Sequence, residues 1–288
     1  MYVETISDTA RWIAYMRAVE SERPDALFRD IYSRKLAGVA GEAIAQHLGS
    51  VELISAGIAV RTAVLDRLIL EMVNRDEVDL VLNIGAGFDT RPWRLELPAR
   101  LHWLDVDLSP ILDHKAEVLH ERGTTCQYEA LPADMLDANQ RAAVLAAFPA
   151  ARRVLVVTEG LLVFLKPIQV RSLAEDLWNR PSCTWWLTDL VGPRALQHLR
   201  QVWAPKLRAD AFHFAPADSV RFFNKLGWQE HSFHSSQEEA RRLNRGPRIP
   251  WLARLMTMLS TPSVREEFRR LSGIAVMARD PTLQSTGN

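Results

Sequence analysis

The first candidate for chemistry in this 288-residue chain is an apolar stretch that runs into two glycines. Residues 81–95 read VLNIGAGFDTRPWRL. Gly85 and Gly87 follow a buried strand, where glycines let a ligand approach the backbone closely. A dinucleotide fingerprint needs a third glycine where Thr90 stands, and a triphosphate loop needs a later Gly-Lys-Ser/Thr. Asp89 would repel a phosphate. The loop therefore predicts a nucleoside ligand without phosphates.

Two acids near the ends of later strands are candidates to hold that nucleoside. Asp105 stands 20 residues after Gly85, at the spacing of a carboxylate that accepts hydrogen bonds from ribose hydroxyls. Asp134 is placed to accept from an adenine amino group, beside the backbone N–H of Met135. Aspartates in such places are also common helix caps and turn residues. A ribose-binding acid occurs in NAD and S-adenosylmethionine sites alike, so these residues do not choose between the two cofactors.

An arginine on an apolar helix stripe is the clearest signal upstream. Arg61 lies three residues after Ile58 and four before Leu65, which share one helix face. A buried arginine is costly unless an anion pairs with it, and snorkelling to the surface is the alternative. The α-carboxylate of S-adenosylmethionine would supply the anion, and Arg17, four residues after Ile13, could serve the same end. We expect Arg61 to be buried and paired with that carboxylate, so that Arg61→Leu leaves the empty protein equally or slightly more stable.

The elements that would position these residues follow an α/β pattern. The first 75 residues read as helical, and short apolar runs then alternate with helical stretches. The runs predict strands at 79–84, 101–106, 125–130, 153–158, 183–189, 228–233 and 273–279. Helices are predicted at 109–122, 137–148, 167–180 and 217–226, with an irregular stretch after residue 190. Such alternation implies a parallel sheet covered on both faces.

Composition excludes several classes of protein. Lys+Arg and Asp+Glu both number 35, so the basic excess typical of a nucleic-acid binder is missing. The two cysteines are far apart, which argues against a disulfide framework and against a metal site of zinc type. No apolar run reaches the roughly 18 residues that cross a bilayer, and the N-terminus does not read as a signal peptide. We expect a cytoplasmic protein without a membrane or nucleic-acid partner, as a monomer or homodimer.

Six segments together resemble the leucine carboxyl methyltransferase family of class I S-adenosylmethionine-dependent enzymes, in particular its bacterial branch with polyketide O-methyltransferases. The segments are MRAVESERPDALFRDIYSRKLAG (16–38), RTAVLDRLI (61–69), LNIGAGFDTRPWRL (82–95), WLDVDLSPILDHK (103–115), LPADM (131–135) and TEGLLVFL (158–165). Their order and spacing match over the first 165 residues and thin out beyond residue 190. The resemblance implies a Rossmann-like fold with a seven-stranded, mostly parallel sheet, an antiparallel strand at 273–279 and a helical N-terminal cap.

The resemblance also implies roles for single residues. Arg17 and Arg61 would hold the methionyl carboxylate, and the remaining contacts would come from Gly85, Gly87, Asp105, Asp134 and Met135. The family often has Glu at the position of Asp105, and usually Asp-Pro where this chain has Asp30-Ile31. Neither departure argues against cofactor binding.

The chemistry itself depends on the acceptor. A carboxylate needs no general base, whereas a phenol or alcohol needs one. Glu159 ends the fourth predicted strand, and it either positions cofactor or substrate or caps the next helix. His198 and His213 are candidate bases, although single histidines are mostly structural. Aromatic residues of the same stretch suggest an aromatic acceptor, and core packing explains them nearly as well: Trp203, Phe212 and Phe214.

We interpret the chain as one S-adenosylmethionine-dependent methyltransferase domain that acts on a carboxylate or hydroxyl of a small, polyketide-like molecule. Its parts are a helical cap (1–75), a cofactor-binding core (79–190), a substrate-pocket insert (191–215) and the completion of the sheet (216–288). Alternatives are a carboxyl methyltransferase for a peptide or protein C-terminus, a nicotinamide-dependent oxidoreductase, which Thr90 and Asp89 disfavour, and a non-catalytic module.

Overall fold

Three helices precede the sheet in the computed structural model, which describes residues 6–49, 51–75, 78–120, 122–148, 153–203, 212–246 and 260–279. They are α1 (Ile6–Ser21), α2 (Ser33–Leu48) and α3 (Val51–Arg75). Helices α1 and α2 pack along each other, and α2 is kinked at Gly38, where φ is +60°. These elements match the predicted helical segment.

The strands form one seven-stranded sheet. They are β1 (Leu80–Ile84), β2 (His102–Asp107), β3 (Gln127–Pro132), β4 (Val154–Thr158), β5 (Cys183–Val191), β6 (Trp228–Ser235) and β7 (Ser272–Arg279). The order across the sheet is β3-β2-β1-β4-β5-β7-β6, and β7 runs antiparallel to the other six strands. The class I methyltransferase fold is thereby confirmed, with the predicted strand boundaries shifted by no more than two residues. Strands from both sides of residue 190 share this sheet.

Eight further helices connect or flank the strands in the part of the chain described here. They are α4 (Arg91–Arg94), α5 (Ser109–Leu119), α6 (Ala138–Ala146), α7 (Pro167–Trp178), α8 (Pro193–Trp203), α9 (Ser219–Asn224), α10 (Ser236–Arg242) and α11 (Pro262–Arg269). The prediction of an irregular stretch after residue 190 was wrong over α8. Pro193 at the first helical position follows Gly192, whose N–H donates to the Leu271 carbonyl, and a helix starts there. Residues 204–211 and the tail at 280–288 lie outside the described residues.

The side chains of successive residues in the central strands are buried on opposite faces of the sheet. Val81 and Leu155 pack with α3, through Leu65 and its neighbours, whereas Leu82 packs with α7, through Leu173 and its neighbours. The sheet is thus covered on both faces, as a parallel sheet requires. No described helix is both long and apolar enough to cross a membrane. The carboxyl ends of the parallel strands all meet at one edge, where the loops with the candidate residues begin.

Gly227, at the start of β6, provides a test of how tightly this core is packed. Its φ is +89°, and a Cβ there would lie 2.7 Å from Cδ2 of Trp178. Gly227→Ala is expected to lower the free energy of unfolding by about 2–4 kcal/mol, because it adds backbone strain and an overlap with the ring. Urea unfolding of the variant measures this.

The matched control is Gly123→Ala, where an added Cβ has nothing within 4 Å. Its stability should stay within about 0.5 kcal/mol of the parent. Equal stability of both variants would contradict this, because it would mean that the Trp178 ring moves aside without lowering the free energy of unfolding.

Candidate active site

The loop after β1 opens the candidate site at the carboxyl edge of the sheet. Gly85 and Gly87 have φ values of +67° and +50°, a conformation that side chains rarely adopt. The Gly85 N–H donates to the carbonyl of Val106 at 2.9 Å, which joins the loop to the end of β2. A Cβ on Gly85 would lie 3.1 Å from Leu161 Cδ1, in the turn after β4. The two glycines therefore let three strand ends come together around the loop.

Asp105 does not face this crevice. It is fully buried, and its carboxylate accepts four hydrogen bonds, from Asn83 Nδ2 (2.9 Å), Trp103 Nε1 (2.8 Å), Lys115 Nζ (2.5 Å) and the Tyr128 hydroxyl (2.9 Å). A carboxylate has about four acceptor positions, so all of them are occupied by the protein. The predicted contact between Asp105 and a ribose does not fit this geometry, because the residue lies within β2 and not at its end.

Asp107 is the acid that β2 brings to the crevice. It is the last residue of the strand and accepts from the N–H groups of Gly87 and Leu108, both at 2.7 Å. Burial raises the pKa of Asp107, and this outweighs the two hydrogen bonds, which favour the ionised form. The spacing predicted Asp105 as the ribose contact and passed over Asp107, two residues later. What distinguishes Asp107 is its place at the strand end, beside the glycine loop.

Arg61 has two protein carboxylates as partners. Its Nε lies 2.9 Å from Glu159 Oε1, at the end of β4, and its NH1 lies 3.1 Å from Asp189 Oδ2, in β5. The Arg61 side chain is 22% exposed, and both carboxylates raise its pKa against the lowering effect of burial. The expectation that Arg61 has no anion in the empty protein was wrong. The partners follow 98 and 128 residues later in the chain, so periodicity could not show them.

A continuous network of ion pairs, here called the arginine network, extends from Arg61 to the glycine loop. Its members are Arg61, Asp66, Asp89, Arg91, Arg94, Glu159 and Asp189. Arg91 is 1% exposed and contacts Asp66 (2.7 Å), Asp89 (2.6 Å) and Glu159 (2.9 Å). The network joins α3 and α4 to the ends of β4 and β5. Asp89 and Arg91, which follow the two glycines in the sequence, thus have a structural role: their ion pairs hold the glycine loop in place.

The ion pairs favour the ionised forms of Glu159 and Asp89 despite their burial. Burial alone would raise the pKa of Glu159, but Arg91 and Arg61 outweigh it, and the net shift is downward. The pKa of Asp89 falls to about 2, because Arg91 and Lys115 outweigh its burial. The same carboxylates raise the pKa of Arg91 despite its burial. Each of these buried charges thus has neighbours of opposite charge, which offset the free-energy cost of its burial.

Arg17 reaches the glycine loop from the cap. It is 7% exposed, pairs with Asp30 at 3.0 Å and donates to the carbonyl of Phe88. Asp30 also accepts from the Ser33 N–H at 3.1 Å, at the start of α2. The Asp30-Ile31 sequence therefore keeps the hydrogen bonds of this turn, and Ile31 is exposed.

Asp134 and Met135 follow β3 at the same edge of the sheet. Asp134 is half-buried, and its Oδ1 accepts from the Leu136 N–H at 2.8 Å. Met135 is buried, and its carbonyl accepts from Arg141 NH1 at 2.8 Å. Both residues lie where the adenine of a nucleoside would be expected.

The residues predicted to lie near the methyl acceptor differ from one another in position and exposure. The backbone N–H of His213 donates to the Val163 carbonyl at 2.8 Å, which places His213 beside the turn that follows Glu159. Phe212 and Phe214 are buried, so core packing accounts for them. His198 is exposed on α8, and the side chain of Trp203 lies outside the described part.

Comparisons with known proteins agree with this geometry. The model of the leucine carboxyl methyltransferase family matches residues 10–177. A protein of Parafrankia sp., assigned as an S-adenosyl-L-methionine-dependent methyltransferase, is 32% identical over 60% of this chain and 58% of its own length. One of Mycobacteroides abscessus with the same assignment is 31% identical over 86% of this chain and 88% of its own. A solved structure from Thermobifida fusca, assigned as a methyltransferase, has a TM-score of 0.60 at 15% identity over 94% of both chains, which shows the fold.

The fold, the site and these relatives define a class I S-adenosylmethionine-dependent methyltransferase. More specifically, the chain belongs to the leucine carboxyl methyltransferase family.

The pairing of Arg61 leads to a stability prediction opposite to the one from periodicity. Arg61→Leu removes the shared cation from Glu159 and Asp189. The free energy of unfolding of the empty protein should fall by about 1–3 kcal/mol, because Asp189 loses its guanidinium partner and Glu159 keeps only Arg91. Urea unfolding without cofactor measures this.

Arg194→Leu is the control, because the ion pair of Arg194 with Glu267 is exposed. Its effect should stay below about 1 kcal/mol. An Arg61→Leu protein as stable as the parent would contradict the arginine network as described.

Proposed function

We propose that this methyltransferase forms methyl esters, with a carboxylate of a small molecule as the acceptor. The observation that carries the proposal is the state of Glu159, the acid at the end of β4. Arg61 and Arg91 lower its pKa and keep it ionised, so it is a weak base near neutral pH. A hydroxyl acceptor needs a base whose pKa lies near the working pH, whereas a carboxylate needs none. The family description, which names a carboxyl group, supports the same acceptor.

The described residues fit S-adenosylmethionine. Asp107 would accept from the ribose hydroxyls, the glycine loop would lie against the cofactor, and Asp134 with Met135 would hold the adenine. Arginine has five N–H donors, and Arg61 uses its Nε and one NH1 hydrogen on Glu159 and Asp189. The methionyl carboxylate would accept from the NH2 group, without displacing either protein partner.

The reaction needs alignment more than proton transfer. When bound, S-adenosylmethionine would supply a methyl group, activated by the positive charge on sulfur, that is transferred to an acceptor oxygen while the sulfur becomes neutral. The chain's residues contribute by holding both partners in line and excluding water, which can lower the barrier by about 7–11 kcal/mol. Glu159 and Arg61 would orient the methionyl end, and no described residue has to remove a proton.

A hydroxyl acceptor is the second candidate. The observation that favours it is the position of His213, whose backbone donates to Val163 beside the Glu159 turn. Its imidazole would then be the general base. The two candidates make opposite predictions for polyketide-like molecules: a carboxylate acceptor predicts methylation of acids, and a hydroxyl acceptor predicts methylation of phenols.

The two acids of β2 give a test of the cofactor contacts. Asp107→Asn should weaken S-adenosylhomocysteine binding about tenfold or more, because a charged acceptor of ribose hydroxyls is lost. Asp105→Asn should mainly destabilise the fold, by about 3–5 kcal/mol, because buried Lys115 loses its anion. Calorimetry and urea unfolding measure the two effects. A stable Asp105→Asn variant that no longer binds would restore Asp105 as the ribose acceptor.

The acceptor class can be tested with methyl-labelled S-adenosylmethionine and matched small acids, phenols and alcohols. We expect label to be transferred to acids and released as methanol by mild alkali, as an ester requires. His213→Ala should retain this activity, because no base is needed. Alkali-stable label on a phenol or alcohol, lost in His213→Ala, would establish the second candidate instead. Transfer to peptides but not to small acids would point to a peptide C-terminus.

A further inference from the structure

Asp189 is a carboxylate of the arginine network that the predicted site did not include. It lies near the carboxyl end of β5, and its side chain is 20% exposed. Oδ1 accepts from the Gly160 N–H at 2.6 Å, and Oδ2 accepts from Arg61 NH1 at 3.1 Å. The same carboxylate therefore holds the backbone of the turn after β4 and the guanidinium that comes from α3.

The turn that Asp189 holds lies between Arg61 and the glycine loop. Gly160 has a φ of +65°, and a Cβ there would lie 3.3 Å from Arg61 NH1 and 3.6 Å from NH2. The guanidinium thus lies directly against the backbone of the turn. The next residue, Leu161, would meet a Cβ on Gly85 at 3.1 Å. A shift of this turn would move both the arginine and the space above Gly85.

Asp189 also decides the charge of the network. Without it, the three carboxylates of Asp66, Asp89 and Glu159 balance the three guanidiniums of Arg61, Arg91 and Arg94. With it, the network carries one excess negative charge. S-adenosylmethionine is cationic at sulfur, whereas S-adenosylhomocysteine, the product, has a neutral sulfur. A fixed negative charge near the site favours the cationic molecule over the neutral one.

We propose that Asp189 is a specificity-determining residue of the cofactor site: it holds Arg61 against the Gly160 turn, and its charge makes the site prefer S-adenosylmethionine to S-adenosylhomocysteine. The product would then leave more readily than an equally shaped cation. This role rests on the proposed binding of the cofactor and not on the identity of the methyl acceptor. It would therefore hold for a carboxylate and for a hydroxyl acceptor alike.

The test compares dissociation constants of S-adenosylmethionine and S-adenosylhomocysteine, measured by calorimetry without acceptor. Asp189→Asn keeps the shape and an oxygen for the Gly160 N–H but removes the charge. We expect the ratio of the two constants to shift roughly three- to tenfold toward the product, the size of one unit charge acting through a partly aqueous medium. Asp189→Glu should largely restore the ratio, because it restores the charge. Glu175→Gln is the control, since Glu175 belongs to an exposed ion pair with Arg171 on α7.

A ratio within twofold of the parent in Asp189→Asn would overturn the proposal, even if both affinities fell together, because a purely structural role weakens both ligands alike. The same ratio shift in Glu175→Gln would also overturn it, because the effect would then not be local. If Asp189→Asn does not fold, the Asp189→Glu and Asp189→Ser proteins decide, and a ratio equal in both would contradict the role of charge.

Discussion

The buried guanidinium of Arg91 places the strongest constraint on the structure. It is 1% exposed, and an unpaired buried cation would cost several kcal/mol. Three carboxylates meet it, from α3, from the glycine loop and from the end of β4. Because these carboxylates belong to distant parts of the chain, pairing Arg91 fixes the relative positions of the elements around the crevice. Arg61 extends the same set of contacts to β5 through Asp189.

The glycines and the charges at the crevice depend on one another. Gly85, Gly87 and Gly160 all have positive φ, and the turns they form bring Leu161 and Arg61 close to backbone. Ion pairs and backbone hydrogen bonds hold these turns, together with the packing of Phe88 and Leu162 in the core. The result is a set of oriented donors and acceptors at the ends of parallel strands, which is where ligands of open α/β sheets bind.

The order of elements could be predicted from the sequence because strand and helix periodicities are local properties. The partial burial of Arg61 could be inferred in the same way, but its partners could not, since Glu159 and Asp189 approach it only through the fold. Spacing placed a ribose acid in β2 but selected Asp105 in place of Asp107, because residues two positions apart share one face and spacing does not show where the strand ends. The start of α8 had a local signal, Gly-Pro, which the irregular composition around it concealed.

A crystal structure of the complex with S-adenosylhomocysteine would show whether the arginine network is already built to receive the cofactor. We predict the methionyl carboxylate within hydrogen-bond distance of Arg61 NH2, with the contacts from Arg61 to Glu159 and Asp189 retained, and the ribose hydroxyls on Asp107. A complex in which Arg61 leaves both carboxylates to reach the ligand, or in which the ribose contacts Asp105, would contradict it.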